Sequence, residues 1–496
     1  MHPGESSKKA VPPANGSGCS IESMPEGILE HILGFLPAPE AVQTCVLARR
    51  WRHLWKSATS LRIGCNGEGY LTPLRKYREL MDHVLLLRGG PPLDTCEFRF
   101  GDFQDEDVPR VNLWLRHALM CNARVFSLSV GTGPSPYIEL DDLPLASQQL
   151  MRLELTWVQV RDSFLNFSSC PFLEHLAFDY CEFLLVTKIS SESLKHLIIY
   201  SCDIESSTSE HSRIRICAPN LVSLHIEDLT GRTPILESMP SLTNAFVRIT
   251  TSCHDICNKL LDPNCSQCGC EFCGTSVNVG DGDKCCVLLN GLSEAKDLDL
   301  ESSPQMFIFK MDLKWSPVFS KLKTLLLNEY WCMPDDFGAL TCILEHSPVL
   351  EELTLELFYE GRKYKLEMEG SITGDRPATI SRHLNIVKVK CQDVDERVVK
   401  ILNVDALNLF DEMSPGKKGM QVPALGGSGG IDALPDEVLE HILGFLQAEE
   451  AGRTSVLARR WRHLWKSVTA LHVTCLVKIP HAAPAVWLGG VPEGCR

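Results

Sequence analysis

One leucine spacing, L-x-x-L-x-L, recurs down the middle of this chain of 496 residues. It appears as Val125/Leu128/Val130, Leu150/Leu153/Leu155, Leu173/Leu176/Phe178, Leu194/Leu197/Ile199, Leu221/Leu224/Ile226, Leu242/Ala245/Val247, Ala295/Leu298/Leu300, Leu322/Leu325/Leu327 and Leu350/Leu353/Leu355. The central residues step by 25, 23, 21, 27, 21, 53, 27 and 28 positions. A unit of this size cannot bury its apolar face alone, so units stack, each giving one strand of a parallel sheet and a return segment. Alternation of period two argues against helix in the triplets, and Pro171, Pro219, Pro240 and Pro348 stand just ahead of several of them. The expectation is a curved solenoid over residues 90–378, parallel strands alternating with helical or irregular returns. Its leucines face inward and the alternating positions face out along a concave surface. Glu154, Thr156, Asp179, Tyr200, His225, Glu227 and Glu356 are the candidate substrate-binding residues there. No common chemistry links them.

The one long interval, 53 residues, holds Cys253, Cys257, Cys265, Cys268, Cys270, Cys273, Cys285 and Cys286. Cys265-x-x-Cys268 and Cys270-x-x-Cys273 have the bite with which two thiolates hold a tetrahedral zinc ion. Only Gly269 separates the two pairs, which hardly lets them close around one ion. Pairing Cys265 and Cys268 with Cys285 and Cys286 gives a better gap but an awkward adjacent pair. A structural zinc and a polar Cys-rich insertion over 250–287 both remain open, and no other cofactor is expected.

A second kind of repetition flanks the array. Residues 21–61 return as residues 431–471 with 28 of 41 positions identical. Pro25 and Glu26 open a helix, since proline fits a first turn and an acid favours the positive end of the helix dipole. Ile28, Leu29, Ile32, Leu33 and Leu36 then form one wide apolar face. After a break at Pro37 and Pro39 a second helix carries Val42, Cys45 and Val46, and a third carries Leu47, Trp51, Leu54 and Trp55. Three short helices in about 40 residues sit near the lower limit for an independent core, so part of this apolar surface awaits a partner.

Both copies resemble an F-box, whose pattern begins Leu-Pro, continues with Ile-Leu at helical spacing and ends near Arg-Arg-Trp-Arg-x-Leu-Trp. Arg382–Val389, with the helical stretch Asp395–Leu402, resembles the FBD region that follows the repeats in plant F-box/leucine-rich-repeat proteins. The resemblance implies an α+β chain: a three-helix F-box at 21–61, the irregular leucine-rich solenoid, an FBD-like segment at 379–405 and a second small helical F-box at 431–475. It implies docking on a Skp-type adaptor and through it a cullin, as the substrate-recognition subunit of an SCF-type ubiquitin ligase. The alternative is an interaction scaffold of the same fold with no part in ubiquitination. The implied adaptor-binding residues are Met24, Pro25, Ile28, Leu29, Ile32, Leu33, Val46, Leu47, Trp51 and Trp55. Their counterparts are Leu434, Pro435, Val438, Leu439, Ile442, Leu443, Trp461 and Trp465. Met24 replaces the usual leucine, a swap of similar volume.

Charge and composition close other routes. With 48 basic and 63 acidic side chains the formal net charge is −15, which repels nucleic acid. No apolar run is long enough to span a bilayer, and the polar, Pro/Gly-rich residues 1–20 read as disordered with no export signal. The 22 cysteines therefore read as reduced thiols of a cytosolic or nuclear protein. None of the phosphate-loop, dinucleotide, zinc-protease or nucleophile-elbow motifs occurs, so no catalysis is expected. Residues 413–430 read as a flexible linker and 476–496 as an unstructured tail.

Overall fold

The structure, a computed structural model, describes residues 21–64, 71–131, 137–205, 213–256, 286–303, 306–332, 338–357, 366–371 and 383–391. The second F-box-like copy, the linker, the tail, residues 1–20, Cys265, Cys268, Cys270 and Cys273, and the helix expected at 395–402 lie outside the described residues.

Helix α1 (Glu26–Leu33) starts behind Pro25, and α2 (Ala38–Gln43) behind Pro37, where the missing proline N–H costs no helical hydrogen bond. The expected third helix is instead two single turns of tighter helix, Arg49–Arg52 and Leu54–Ser57. Trp51 and Trp55 sit four apart, one on each turn, and both are buried. Helices α3 (Arg78–Arg88) and α4 (Val108–Met120) follow.

The strands are β1 (Ser60–Ile63), β2 (Thr95–Phe100), β3 (Val125–Val130), β4 (Ile138–Glu139), β5 (Arg152–Thr156), β6 (Val158–Val160), β7 (His175–Asp179), β8 (Glu182–Leu184), β9 (Lys188–Ser190) and β10 (His196–Tyr200). They continue as β11 (Asp203–Glu205), β12 (Arg215–Cys217), β13 (Ser223–Glu227), β14 (Ile235–Leu236), β15 (Asn244–Ile249), β16 (Asp297–Ser302), β17 (Thr324–Asn328), β18 (Glu352–Leu357), β19 (Leu366–Ser371) and β20 (Ile386–Cys391). Thirteen of them form one sheet in the order β1-β2-β3-β5-β7-β10-β13-β15-β16-β17-β18-β20-β19, parallel except for the antiparallel β19–β20 pair.

Every L-x-x-L-x-L unit lands in this sheet, and eight have their central residues in register: Leu153, Leu176, Leu197, Leu224, Ala245, Leu298, Leu325 and Leu353 stack as one buried column that continues to Val387, whereas the first unit is shifted by two, since Phe126 and not Leu128 stacks on Leu153. Two expectations change. The sheet begins at Ser60 in place of residue 90, so its first strand leaves the F-box-like module after a two-residue step. The middle returns are strands: β4, β6, β8 and β11 make a second parallel sheet, and β9, β12 and β14 a third. Their buried residues, Val158, Val160, Phe183, Ile189, Ile216 and Leu236, alternate with more exposed ones, which suits a half-buried strand better than a helix.

The corners repeat as well. Trp157, Tyr180, Ser201 and Asp228 each follow a sheet strand directly and each has φ near +50°, as does Gly64 after β1 at +75°. The N–H groups of Trp157, Tyr180 and Ser201 donate to the carbonyls of Asp179, Tyr200 and Glu227 on the next repeat, at 2.9–3.1 Å. At Gly64 only glycine fits, because a Cβ would lie 1.6 Å from the Arg99 carbonyl oxygen.

Candidate functional site

Two surfaces stand out, one on the helical module and one on the sheet. In the module, α1 turns Leu29 and Leu33 fully inward against Trp51, Leu54 and Trp55, while Ile28 on its other side is 49% exposed. Arg50 donates to the carbonyl of Met24 and so ties the entry of the module to its third segment. Val46 and Leu47, at the end of the second helical segment, are 83% and 69% exposed, and Phe35 is also exposed, its ring edge-on to His31. Four large apolar side chains facing solvent in so small a unit are what a partner-covered surface leaves behind.

Of the ten residues expected to touch an adaptor, Pro25, Ile28, Val46 and Leu47 are therefore at the surface. Met24 and Ile32 are half-buried, and Leu29, Leu33, Trp51 and Trp55 are core. Phe35 was not among them. It lies seven residues after Ile28, the spacing that returns to one helical face.

The concave face of the sheet carries three rows of outward side chains, fixed by the parallel register. The middle row runs Glu154, Ala177, Ile198, His225, Phe246, Asp299. Strands about 4.8 Å apart bring like groups into stacking distance. His175 and His196 stack at 4.3 Å, His225 and Phe246 at 4.6 Å, and Trp157 and Tyr180 at 4.9 Å. Burial, with Arg152 and His196 adding to it, holds the His175 imidazole below its usual pKa.

The acids differ in how they are satisfied. Glu227 accepts from His225 and from Arg248, both at 3.0 Å; the His225 hydrogen bond, with Arg248 beside it, holds its carboxyl below the usual range against the effect of burial. Glu352 pairs with Lys388 at 2.7 Å and Glu356 with Lys390 at 2.9 Å. Asp179 and Asp299 have no such partner among the described residues. Asp179 Oδ1 is covered and accepts no hydrogen bond, and burial pushes its carboxyl up to about 6. Burial also lifts Asp299 to about 6, with the neighbouring Glu356 and Asp297 charges adding to it. Glu154 and Thr156 are half-buried on the same face, the former 3.3 Å from Arg152, and Tyr200 lies edge-on to Tyr180.

The family model of the F-box domain matches residues 21–62 and 431–471. An F-box/LRR-repeat protein of Arabidopsis thaliana is 28% identical over 373 residues, 68% of this chain and 74% of its own length. An F-box/FBD/LRR-repeat protein of the same plant is 24% identical over 428 residues, 79% of this chain and 90% of its own. The chain thus carries two F-box matches and resembles plant F-box/LRR proteins along most of its length. The meiotic F-box protein MOF of Oryza sativa subsp. japonica is also similar, 28% identical over 364 residues, 68% of this chain and 70% of the rice protein.

F-box domains generally bind Skp-type adaptors, and F-box/LRR proteins are generally non-catalytic adaptors for other proteins. The F-box here is joined to its repeats by a two-residue step and a buried side chain. Arg88, buried on α3, donates to the carbonyls of Ala58, at the end of the F-box, and Pro92, ahead of β2. Among the described residues no group of three His, Cys, Asp or Glu side chains is placed to hold a metal. Two described cysteines from the long interval are engaged elsewhere. Burial and the adjacent Asp255 push the Cys253 thiol up to about 12, and burial with Asp312 raises Cys286. No described helix is long and apolar enough to cross a membrane.

Proposed function

We propose that this chain is the substrate-recognition subunit of an SCF-type ubiquitin ligase. Its F-box docks on a Skp-type adaptor, and through it on a cullin, while the concave face of the repeats holds the protein to be ubiquitinated. The observation that carries the reading is the exposed apolar set Ile28, Phe35, Val46 and Leu47 on a segment matching the F-box, attached without a linker to the first strand of the sheet. A receptor of this kind needs no catalytic group of its own, because it raises the effective concentration of substrate beside a conjugating enzyme carried by other subunits. This work belongs in the cytosol or nucleus.

The test is capture of a Skp-type adaptor by the purified full chain. Val46→Asp with Leu47→Asp leaves the core untouched and is expected to abolish docking at the first F-box. The matching Val456→Asp with Leu457→Asp tests the second copy. Binding lost with the first pair alone assigns the function to residues 21–62; binding lost only with both pairs assigns two docking sites. An intact chain that captures no adaptor overturns the ligase reading and leaves a scaffold. Trp51→Ala is the wrong probe, since emptying a buried tryptophan site costs about 3–5 kcal/mol and unfolds the surface it is meant to test.

A further inference from the structure

We propose that the concave face between β7 and β16 seats an extended basic segment of a partner protein, one cationic side chain pairing with Asp179 and a second with Asp299. The inference rests on the receptor reading above and names the chemistry of what is received.

Among the described residues Asp179 and Asp299 form no ion pair, the Lys390 ammonium acting on Asp299 only from a distance, while Glu227, Glu352 and Glu356 around them each form one. A covered carboxylate with no donor is costly to keep, and an arriving ammonium or guanidinium removes that cost. Tyr200 lies beside Asp179 in the same row, its edge against Tyr180, so a guanidinium at Asp179 meets aromatic rings as well as charge.

The register sets the spacing. Four strand steps separate β7 from β16 through β10, β13 and β15, about 19 Å at ~4.8 Å per step. An extended chain covers that distance in about six residues at ~3.3 Å each. Between the two acids the middle row offers Ile198, which is 43% exposed, and the stacked His225–Phe246 pair. The intervening stretch of the partner therefore carries an apolar side chain.

The probe is a fluorescein-labelled peptide, Gly-Ser-Arg-Ser-Ala-Leu-Ala-Ser-Arg-Ser-Gly-Ser, titrated with the full chain and read by anisotropy. Controls are a copy with glutamate for both arginines and a copy with the arginines adjacent. The spaced peptide is expected to bind at least threefold more tightly than the adjacent one, and the glutamate copy not at all. Asp179→Asn and Asp299→Asn are each expected to weaken it threefold or more, and Glu79→Gln on helix α3 to leave it unchanged. No binding of the spaced peptide, equal loss from Glu79→Gln, or no loss from either asparagine variant overturns the proposal. Asp179→Asn is expected to hold or raise the melting temperature of the free chain. A fall would show that the carboxylate already has a structural partner, and would also overturn the proposal. Adaptor capture on the same preparations separates the two readings: peptide binding lost with capture intact faults this inference alone, and capture lost with peptide binding intact faults only the docking reading.

Discussion

Arg213 and Asp255 form the most deeply buried ion pair among the described residues, two parallel bonds of 2.8 and 2.7 Å with side chains 6% and 1% exposed. Thr233 completes the set, donating its N–H and hydroxyl to Asp255. Burial alone would push the Asp255 carboxyl up, but the Arg213 and Thr233 donors outweigh it and hold it below the usual range. A carboxyl depressed in the folded state adds stability that is fully present above the unfolded value of about 4 and is lost as pH falls through the folded value. Asp255→Asn, which takes the Asp255 charge away from the buried Arg213, is expected to cost about 3–5 kcal/mol at pH 7. The gap between wild type and variant is expected to narrow below pH 4, read as the difference in melting temperature from pH 7 to pH 3. Asp179 and Asp299 carry the opposite sign: each is lifted to about 6, so its charge opposes folding near neutrality and that opposition fades as pH falls towards 4. Doubly changing them to asparagine is expected to flatten the melting temperature between pH 7 and pH 5. At this scale the sequence was only half legible. Ile28 and Leu29 are adjacent apolar residues on one short helix, and periodicity does not tell which of the two turns inward. The unpaired state of Asp179 depends on neighbours 20 or more residues away and leaves no local trace.

At the scale of elements, the 53-residue interval is held at both roots. Asp255 is fixed by Arg213, and His254 donates to the Gly231 carbonyl at 2.6 Å. On the returning side the buried Asp312 accepts the N–H groups of Val287, Leu288 and Leu289 at 2.6–2.9 Å. The repeats on either side, β15 and β16, pair directly in full register as if nothing stood between them. Replacing residues 257–285 by eight Gly/Ser residues is therefore expected to leave the melting temperature unchanged or up to about 4 °C higher, the shorter loop gaining about 1 kcal/mol. A drop of 5 °C or more by calorimetry would show that the segment supports the solenoid. The nine strands of the leucine array were readable because alternation of period two over a constant spacing has no helical equivalent. The first two were hidden by composition. Ala58-x-x-Leu61-x-Ile63 and Leu93-x-x-Cys96-x-Phe98 keep the spacing, but an alanine, a cysteine and a phenylalanine stand where leucines announce the others. The strand returns of the middle repeats were missed because two- and three-residue strands are too short for a period to show.

For the molecule as a whole, the important link is Arg88. Through it the F-box and the start of the sheet share one buried cation, and β1 follows the last F-box turn with only Ala58 and Thr59 between. Arg88→Met removes two hydrogen bonds from a charged donor and is expected to cost about 2–3 kcal/mol. Amide exchange is the measurement: residues 54–63 are expected to exchange faster while β7, β10 and β13 keep their protection. Equal loosening of both would mean that the F-box and repeats melt as one. With the link intact, a protein held at β10 sits five strand steps, about 24 Å along the sheet, from the F-box strand edge.

The antiparallel β19 at the far edge has its own consequence. A parallel stack grows by laying one more unit on its last strand, yet here β19 occupies that edge running the wrong way, and α2 sits against β1 at the other. A further parallel repeat at that edge would have to displace β19, whereas the interval between β15 and β16 shows that the stack takes an expansion between units already present.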